Sequence, residues 1–306
     1  SDSFHCPNSS SSSFILVGIP GLEASYTWLG ILFYLGYITA LVGNGVVLLV
    51  IRLDDSLRNP MHYFLAMLAA IDLVMVTSTV PKMLGIFWLN STKTSYVGCL
   101  VQMFLVHSST SEESGVLLAM AFDRYVAISQ PLQYEAILTH QTVVKIGLAI
   151  MGRALLFMVP LTWMVTNLPF CNATVVPHSY CEHMAVAKLA RTDPRSISLY
   201  STTLSSLIVG MDMTFIAWSY GMIIKAVVGK KSHRKAFSTC GCHICVMLLY
   251  YIPGLVSVYI QAFGTSVPAW AQVVLADLYL TLPTVLNPII YSMRTKQIRR
   301  AVLKVL

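Results

Sequence analysis

The sequence predicts an all-α membrane protein: a seven-transmembrane helix bundle followed by a short amphipathic C-terminal helix. Three observations carry this. Only 11% of the residues are charged, 56% are hydrophobic and mean hydropathy is +0.70, whereas a soluble domain carries about 25% charged residues. The apolar residues fall in long runs, and a helix needs about 20 of them to cross a bilayer. Lys and Arg gather at alternate ends of those runs, as the positive-inside rule requires.

Seven runs meet the length: 28–51, 61–89, 99–128, 143–168, 197–228, 237–263 and 269–293. The third is interrupted by His107, Glu112 and Glu113 but is otherwise apolar. Backbone groups in lipid must be satisfied within the segment, so each run is read as a helix. The division that follows is an outer tail over 1–25, a bundle over 26–293 and a cytoplasmic amphipathic helix over 294–306. Connections are short apart from about 28 residues after Leu168, and there is no tandem repeat.

One set of run ends holds Arg52, Arg58, Arg124, Lys145, Lys225 and the clusters Lys230 to Lys235 and Arg294 to Lys304; the other holds only Lys82, Lys93, Lys188, Arg191 and Arg195. The first set is read as cytoplasmic, with the N-terminus outside and the C-terminus inside. This asymmetry accounts for the net charge of +7 and leaves no reason to invoke nucleic acid. The N-terminus lacks a charged start followed by an apolar core, so no cleavable signal is expected and the first run directs insertion. The sequons at Asn8, Asn90 and Asn172 all fall on the outer side, with Asn8 the best placed for a glycan.

Cysteines divide by compartment. Cys6, Cys99, Cys171 and Cys181 are outside, where disulfides persist, and four cysteines allow three pairings. Cys99 tops the third run and Cys181 lies late in the long loop, so a bridge between them would pin that loop across the bundle mouth. Cys6 with Cys171 would be the second bridge, the alternative being that both stay free. Cys240, Cys242, His243 and Cys245 resemble a metal site in spacing, but side chains at i and i+2 of a helix diverge.

Residues 120–129, Met-Ala-Phe-Asp-Arg-Tyr-Val-Ala-Ile-Ser, place Asp123 and Arg124 at a membrane boundary. Charges there are costly and usually functional. An Arg that bonds its neighbour in one state and another group in a second suggests a switch; the plain alternative is an Arg that snorkels to headgroups.

Together these motifs resemble a rhodopsin-type G-protein-coupled receptor, and the finer ones resemble an odorant receptor. Residues 57–65, Leu-Arg-Asn-Pro-Met-His-Tyr-Phe-Leu, are similar to that family's Leu-His-x-Pro-Met-Tyr-x-Phe-Leu. Ser219-Tyr220, Lys235 to Cys240 with His243, and Asn287-Pro288-Ile289-Ile290-Tyr291 match its later signatures. Gly18-Ile19-Pro20-Gly21-Leu22-Glu23 and Ser179-Tyr180-Cys181 look like the class I, or fish-like, branch. His62, Ser129 and Cys242 depart from the family pattern.

The resemblance implies a plasma-membrane receptor for a small volatile molecule, coupled to a heterotrimeric stimulatory G protein that raises cAMP. It implies an activation switch formed by Asp123, Arg124, Tyr220, His243, Asn287 and Tyr291. It also implies a Na⁺ held by Asp72 and Glu113, since two facing buried carboxylates need a cation or a shared proton. No other cofactor is expected. Glu113 and Arg124, 11 residues apart, share a helix face about 16 Å apart along the axis.

Candidate ligand contacts are His107 with Ser111 and Ser114 on one stripe, Ser201 and Ser205 on the fifth run, and Met158, Tyr251, Leu255 and Val258. The seventh run has no Lys for a retinal Schiff base, and no acid lies between Cys99 and Ser111 to anchor an amine. Class I receptors that bind acids carry a basic residue before the Phe-Gly ending the sixth span; here Ala262 precedes Phe263-Gly264. A neutral or weakly polar ligand is therefore expected, unless Lys188, Arg191 or Arg195 supplies a charge. A transporter is the alternative, though it would want interrupted helices in matching halves. A catalytic constellation is not found, so no enzyme is expected.

Overall fold

The computed structural model describes residues 13–170, 174–227, 233–263 and 266–305, with side chains omitted at 233–239, 242, 261–263, 293–294 and 305. The bundle is built from α1 (Tyr26–Leu53), α2 (Pro60–Leu89), α3 (Tyr96–Ser129), α5 (His140–Thr166), α7 (Arg195–Val227), α8 (His233–Phe263) and α9 (Ala269–Arg294). Shorter helices α4 (Tyr134–Ile137) and α6 (His183–Ala187) sit in the connections, and α10 (Lys296–Val305) follows the bundle.

Six of the seven long helices are apolar enough to cross a membrane by length and composition. The exception is α3, 34 residues long, whose polar side chains turn inward: Ser108, Ser111, Glu113, Ser114 and Asp123 are buried. Its polarity is that of a central helix enclosed by protein. It packs on α2, α5, α7 and α8.

Helix ends follow local chemistry. Asn59 caps α2, its side chain accepting from the His62 N–H with Pro60 at the first position, and Ser95 caps α3 by accepting from the Gly98 N–H; such caps are worth about 1 kcal/mol each. In α10, Ile298 and Ala301 are buried against the bundle while Arg299 and Arg300 face outward.

An all-α reading omits one feature. Strands β1 (Ser13–Leu16), β2 (Lys93–Ser95) and β3 (Val175–Val176) form a three-stranded sheet in the order β2-β1-β3, antiparallel on one side and parallel on the other. Alternation along β1 puts Phe14 and Leu16 in the core and Ser13 and Ile15 partly outward, so the segment before α1 is an integral piece of the bundle mouth. Gly18, at φ 86°, turns the chain after β1; a Cβ there would lie 2.5 Å from the Tyr26 hydroxyl. That hydroxyl donates to the Val17 carbonyl and accepts from the Ile19 N–H, both at 2.9 Å.

Candidate functional site

Cys99 and Cys181 form a disulfide with Cα atoms 5.4 Å apart. It draws the segment between α5 and α7 over the mouth of the bundle, where Gln102 clamps it: Gln102 Oε1 accepts from the Cys181 N–H at 2.9 Å. Cys6, Cys171 and Asn8 lie outside the described residues.

Beneath this cover is a cavity of about 130 Å³. His107, Ser111, Met158, Ser201, Ser205, Tyr251, Leu255 and Val258, drawn from four helices, all line it. The loop adds Tyr180, Glu182, His183 and Met184, which the sequence alone did not place. Their position is decided by the disulfide, so no periodicity could have found them. Lys188, Arg191 and Arg195 do not line it among the described residues.

The polar groups differ in what is free. Ser111 Oγ has no hydrogen-bond partner among the described residues. Ser201 Oγ donates to the Ser198 carbonyl at 3.2 Å. Ser114, expected on the same stripe as His107 and Ser111, also lines the cavity, but its hydroxyl is already engaged, donating to Asp212 and lying 2.9 Å from Tyr251 Oη. His107 meets His183, with Nε2 and Nδ1 3.1 Å apart and the rings edge to face.

Below the cavity, Arg153 of α5 donates to both Asp212 carboxylate oxygens at 2.8 and 3.0 Å and to the Ser111 carbonyl at 2.9 Å. This polar knot joins α3, α5, α7 and α8. Gly115 makes the approach possible, because a Cβ there would lie 3.0 Å from Arg153 Nη2. Charged residues inside apolar runs were the available signal; a reading confined to run ends passes over Arg153 and Asp212.

The loop's own electrostatics hold it in place. His178 is buried, and burial moves its imidazole down to about 4, partly opposed by Glu182. Its Nδ1 accepts from the Ser179 N–H at 3.1 Å, the role of a neutral ring. Burial would raise Glu182, but His183 and then His178 hold it well below the usual carboxylate range. Ser179 donates to Asp277 of α9.

At the same level of α3 as the Arg153–Asp212 knot, Asn287 Nδ2 donates to Asp72 at 3.0 Å and reaches Glu113, the neighbour of Ser114, at 3.5 Å. Among the described residues Asp72 Oδ1 and Asn287 Oδ1 are buried without hydrogen-bond partners, oxygen donors of the kind that suits a hard monovalent cation. At the end of the bundle away from the covering loop, Arg124 donates twice to Asp123, at 2.7 and 3.0 Å, and Tyr134 of α4 donates to the other Asp123 oxygen at 2.7 Å. Tyr220 and His243 are paired at 2.6 Å, and Tyr291 reaches Met120. Arg124 and the Tyr220–His243 pair thus hold separate partners.

Residues 33–306 match the sequence family described as "Olfactory receptor". The chain is 52% identical over 294 residues to human "Olfactory receptor 52I2", covering 95% of this chain and 84% of that one. It is 45% identical over 299 residues to rat "Olfactory receptor 51E2", covering 97% and 93%. Among solved structures it resembles squid rhodopsin, with a TM-score of 0.76 at 18% identity over 94% of this chain and 86% of that one, a likeness of fold.

Proposed function

The chain belongs to the olfactory receptor family, and from that premise we propose that it binds a small neutral or weakly polar volatile molecule beneath the disulfide-pinned loop. Occupancy there activates a heterotrimeric stimulatory G protein and raises cAMP. The observation that carries the ligand class is the lining of the cavity. It offers hydroxyls and imidazoles, an acid in Glu182, and no Lys or Arg among the described residues. A carboxylate ligand buried without a cationic partner costs several kcal/mol, whereas an alcohol, aldehyde or ester needs only a hydrogen bond from Ser111, Ser201 or Ser205, or from an imidazole.

The receptor lies in the plasma membrane with its N-terminus outside and its C-terminus inside, the reading favoured by the distribution of Lys and Arg. Signal leaves the cavity through Tyr251, which is both a lining residue and a partner of the Ser114 hydroxyl. It ends at Arg124, Tyr220 and His243, where exchange of partners opens the cytoplasmic face. Asp72, Glu113 and Asn287 hold a Na⁺ that favours the resting arrangement; Asp72→Asn removes the effect of Na⁺ on thermal stability if this holds.

The decisive experiment is a cAMP dose–response panel of short acids, alcohols, aldehydes and esters in cells with and without the stimulatory G protein. Nucleotide-dependent responses to neutral members are expected. Strong activation by a short fatty acid, unaffected by removing Lys188, Arg191 and Arg195, would overturn the ligand class.

A further inference from the structure

We propose that His107, Glu182 and His183 form a binding site for a transition-metal dication, Zn²⁺ in the first instance, at the outer rim of the cavity. One ligand atom from each of the three lies within 4.8 Å of the others. His183 Nδ1 is 3.1 Å from His107 Nε2. Two nitrogens on one tetrahedral Zn²⁺, each about 2.0–2.1 Å from the metal, are roughly 3.3 Å apart, so the imidazoles are already near ligand spacing. His183 Nδ1 is also 2.6 Å from Glu182 Oε1, yet that oxygen makes no hydrogen bond among the described residues. Two imidazole lone pairs and a carboxylate oxygen therefore converge on a space where at most one proton is shared. A dication would satisfy all three with a shift of a few tenths of an ångström in the carboxylate.

The surroundings support the carboxylate as a ligand. Glu182 Oε2 accepts from the Ala185 N–H at 2.7 Å, capping α6. This fixes the side chain while leaving Oε1 turned to the imidazoles, the outer-shell support that metal ligands usually have. Glu182 is 3% exposed and His183 8%. The cover that holds both is locked to α3 by the Cys99–Cys181 bridge, so the ligands from the loop meet the ligand from the helix in one fixed geometry. Two imidazoles and one carboxylate suit Zn²⁺ and exclude Mg²⁺, which wants octahedral oxygen. Three protein ligands leave a fourth position facing the cavity. That this position takes a lone-pair group of the volatile ligand rests on the reading of the cavity as the odorant site; the metal site itself does not.

The test uses the full receptor, purified in detergent and washed with a chelator, with ZnCl₂ alone and no odorant. Bound zinc is counted by elemental analysis and thermal stability is followed. Expected are zinc bound and a raised melting temperature, no such effect of MgCl₂, and a loss of affinity of at least about 100-fold in His107→Gln and His183→Gln, with His140→Gln, an exposed residue at the start of α5, behaving as wild type. Absence of zinc binding, or binding unchanged in both His107→Gln and His183→Gln, overturns the proposal. X-ray absorption of the zinc-loaded wild-type receptor stands apart from the folding of any variant: nitrogen and oxygen neighbours are expected, and sulfur neighbours overturn it. The cAMP panel run with a zinc chelator reports on the odorant reading separately.

Discussion

At the end of α3 far from the covering loop, Arg124 spends two donors on Asp123 while Tyr134 occupies the second carboxylate oxygen. A guanidinium so held is tied down without being sequestered, since Arg124 remains 17% exposed. Arg124→Ala is expected to abolish the cAMP response while surface staining stays near wild type, because the residue packs at a rim and not in a core; a normal response in a surface-expressed variant would count against the switch. Arg153 and Asp212 behave differently. Their pair is buried, with Asp212 fully enclosed, and removing one partner of such a pair costs about 3–5 kcal/mol. Arg153→Met and Asp212→Leu should each lose most surface expression, and the double substitution should recover part of it, as flow cytometry on intact cells would show. His178 sets a pH dependence. Its imidazole, lowered to about 4 by burial, is neutral when folded but takes a proton near 6.5 when unfolded. Stability from this residue is thus full above about pH 6.5 and is lost as pH falls toward 4, by at most about 3 kcal/mol. Glu182, held low in the fold, adds a loss below its ordinary value of 4.5. The melting temperature should fall between pH 6.5 and 4, and His178→Gln should flatten that fall.

Among the elements, the covering loop depends on its tether. The bridge spans 82 residues, worth roughly 4–5 kcal/mol in the chain-entropy model. Cys99→Ser and Cys181→Ser should each block surface expression, and the double substitution should be no worse than either alone; additive losses would show that the two act separately. Strand β1 is the second tether. Phe14 is fully buried and packs against Tyr96 and Phe170, so Phe14→Ala should cost about 3–5 kcal/mol, visible as a lowered melting temperature of the purified receptor. The third helix shows why span finding by hydropathy is incomplete: it carries the residues that other helices enclose, so its polarity measures centrality in the bundle.

Across the whole molecule, polar layers are spaced along α3 from the mouth beneath the covering loop to the opposite end of the bundle. The Glu182–His183–His107 rim comes first, the Arg153–Asp212–Ser114–Tyr251 knot and the Asp72–Asn287–Glu113 cluster share one level because Glu113 and Ser114 are consecutive on α3, and the Asp123–Arg124 pair comes last. Each layer is surrounded by apolar packing, with one cluster around Met103 and Leu161 above and another around Leu117 and Tyr250 below. Low dielectric strengthens every contact within a layer and makes an unpaired group expensive. Orientation is a property at this scale too. An epitope at the N-terminus should be accessible on intact cells, and one at the C-terminus only after permeabilisation; the reverse pattern would sink the charge-based assignment.

The sequence by itself determined the seven-helix bundle and the family. Helical periodicity and bilayer thickness leave little choice once apolar runs are long, and motifs such as Asp123-Arg124-Tyr125 are local in the chain. That is why His107 with Ser111, and Ser201 with Ser205, read from helical spacing, line one cavity. Tertiary structure alone decided which groups meet across helices. Arg153 finds Asp212 at a separation of 59 residues, Asn287 finds Asp72 at 215, and His183 finds His107 at 76. Nothing periodic links such positions. They are paired because a buried polar group in an apolar bundle must find a partner, and the packing of the helices and the fixed end of the loop leave it few within reach.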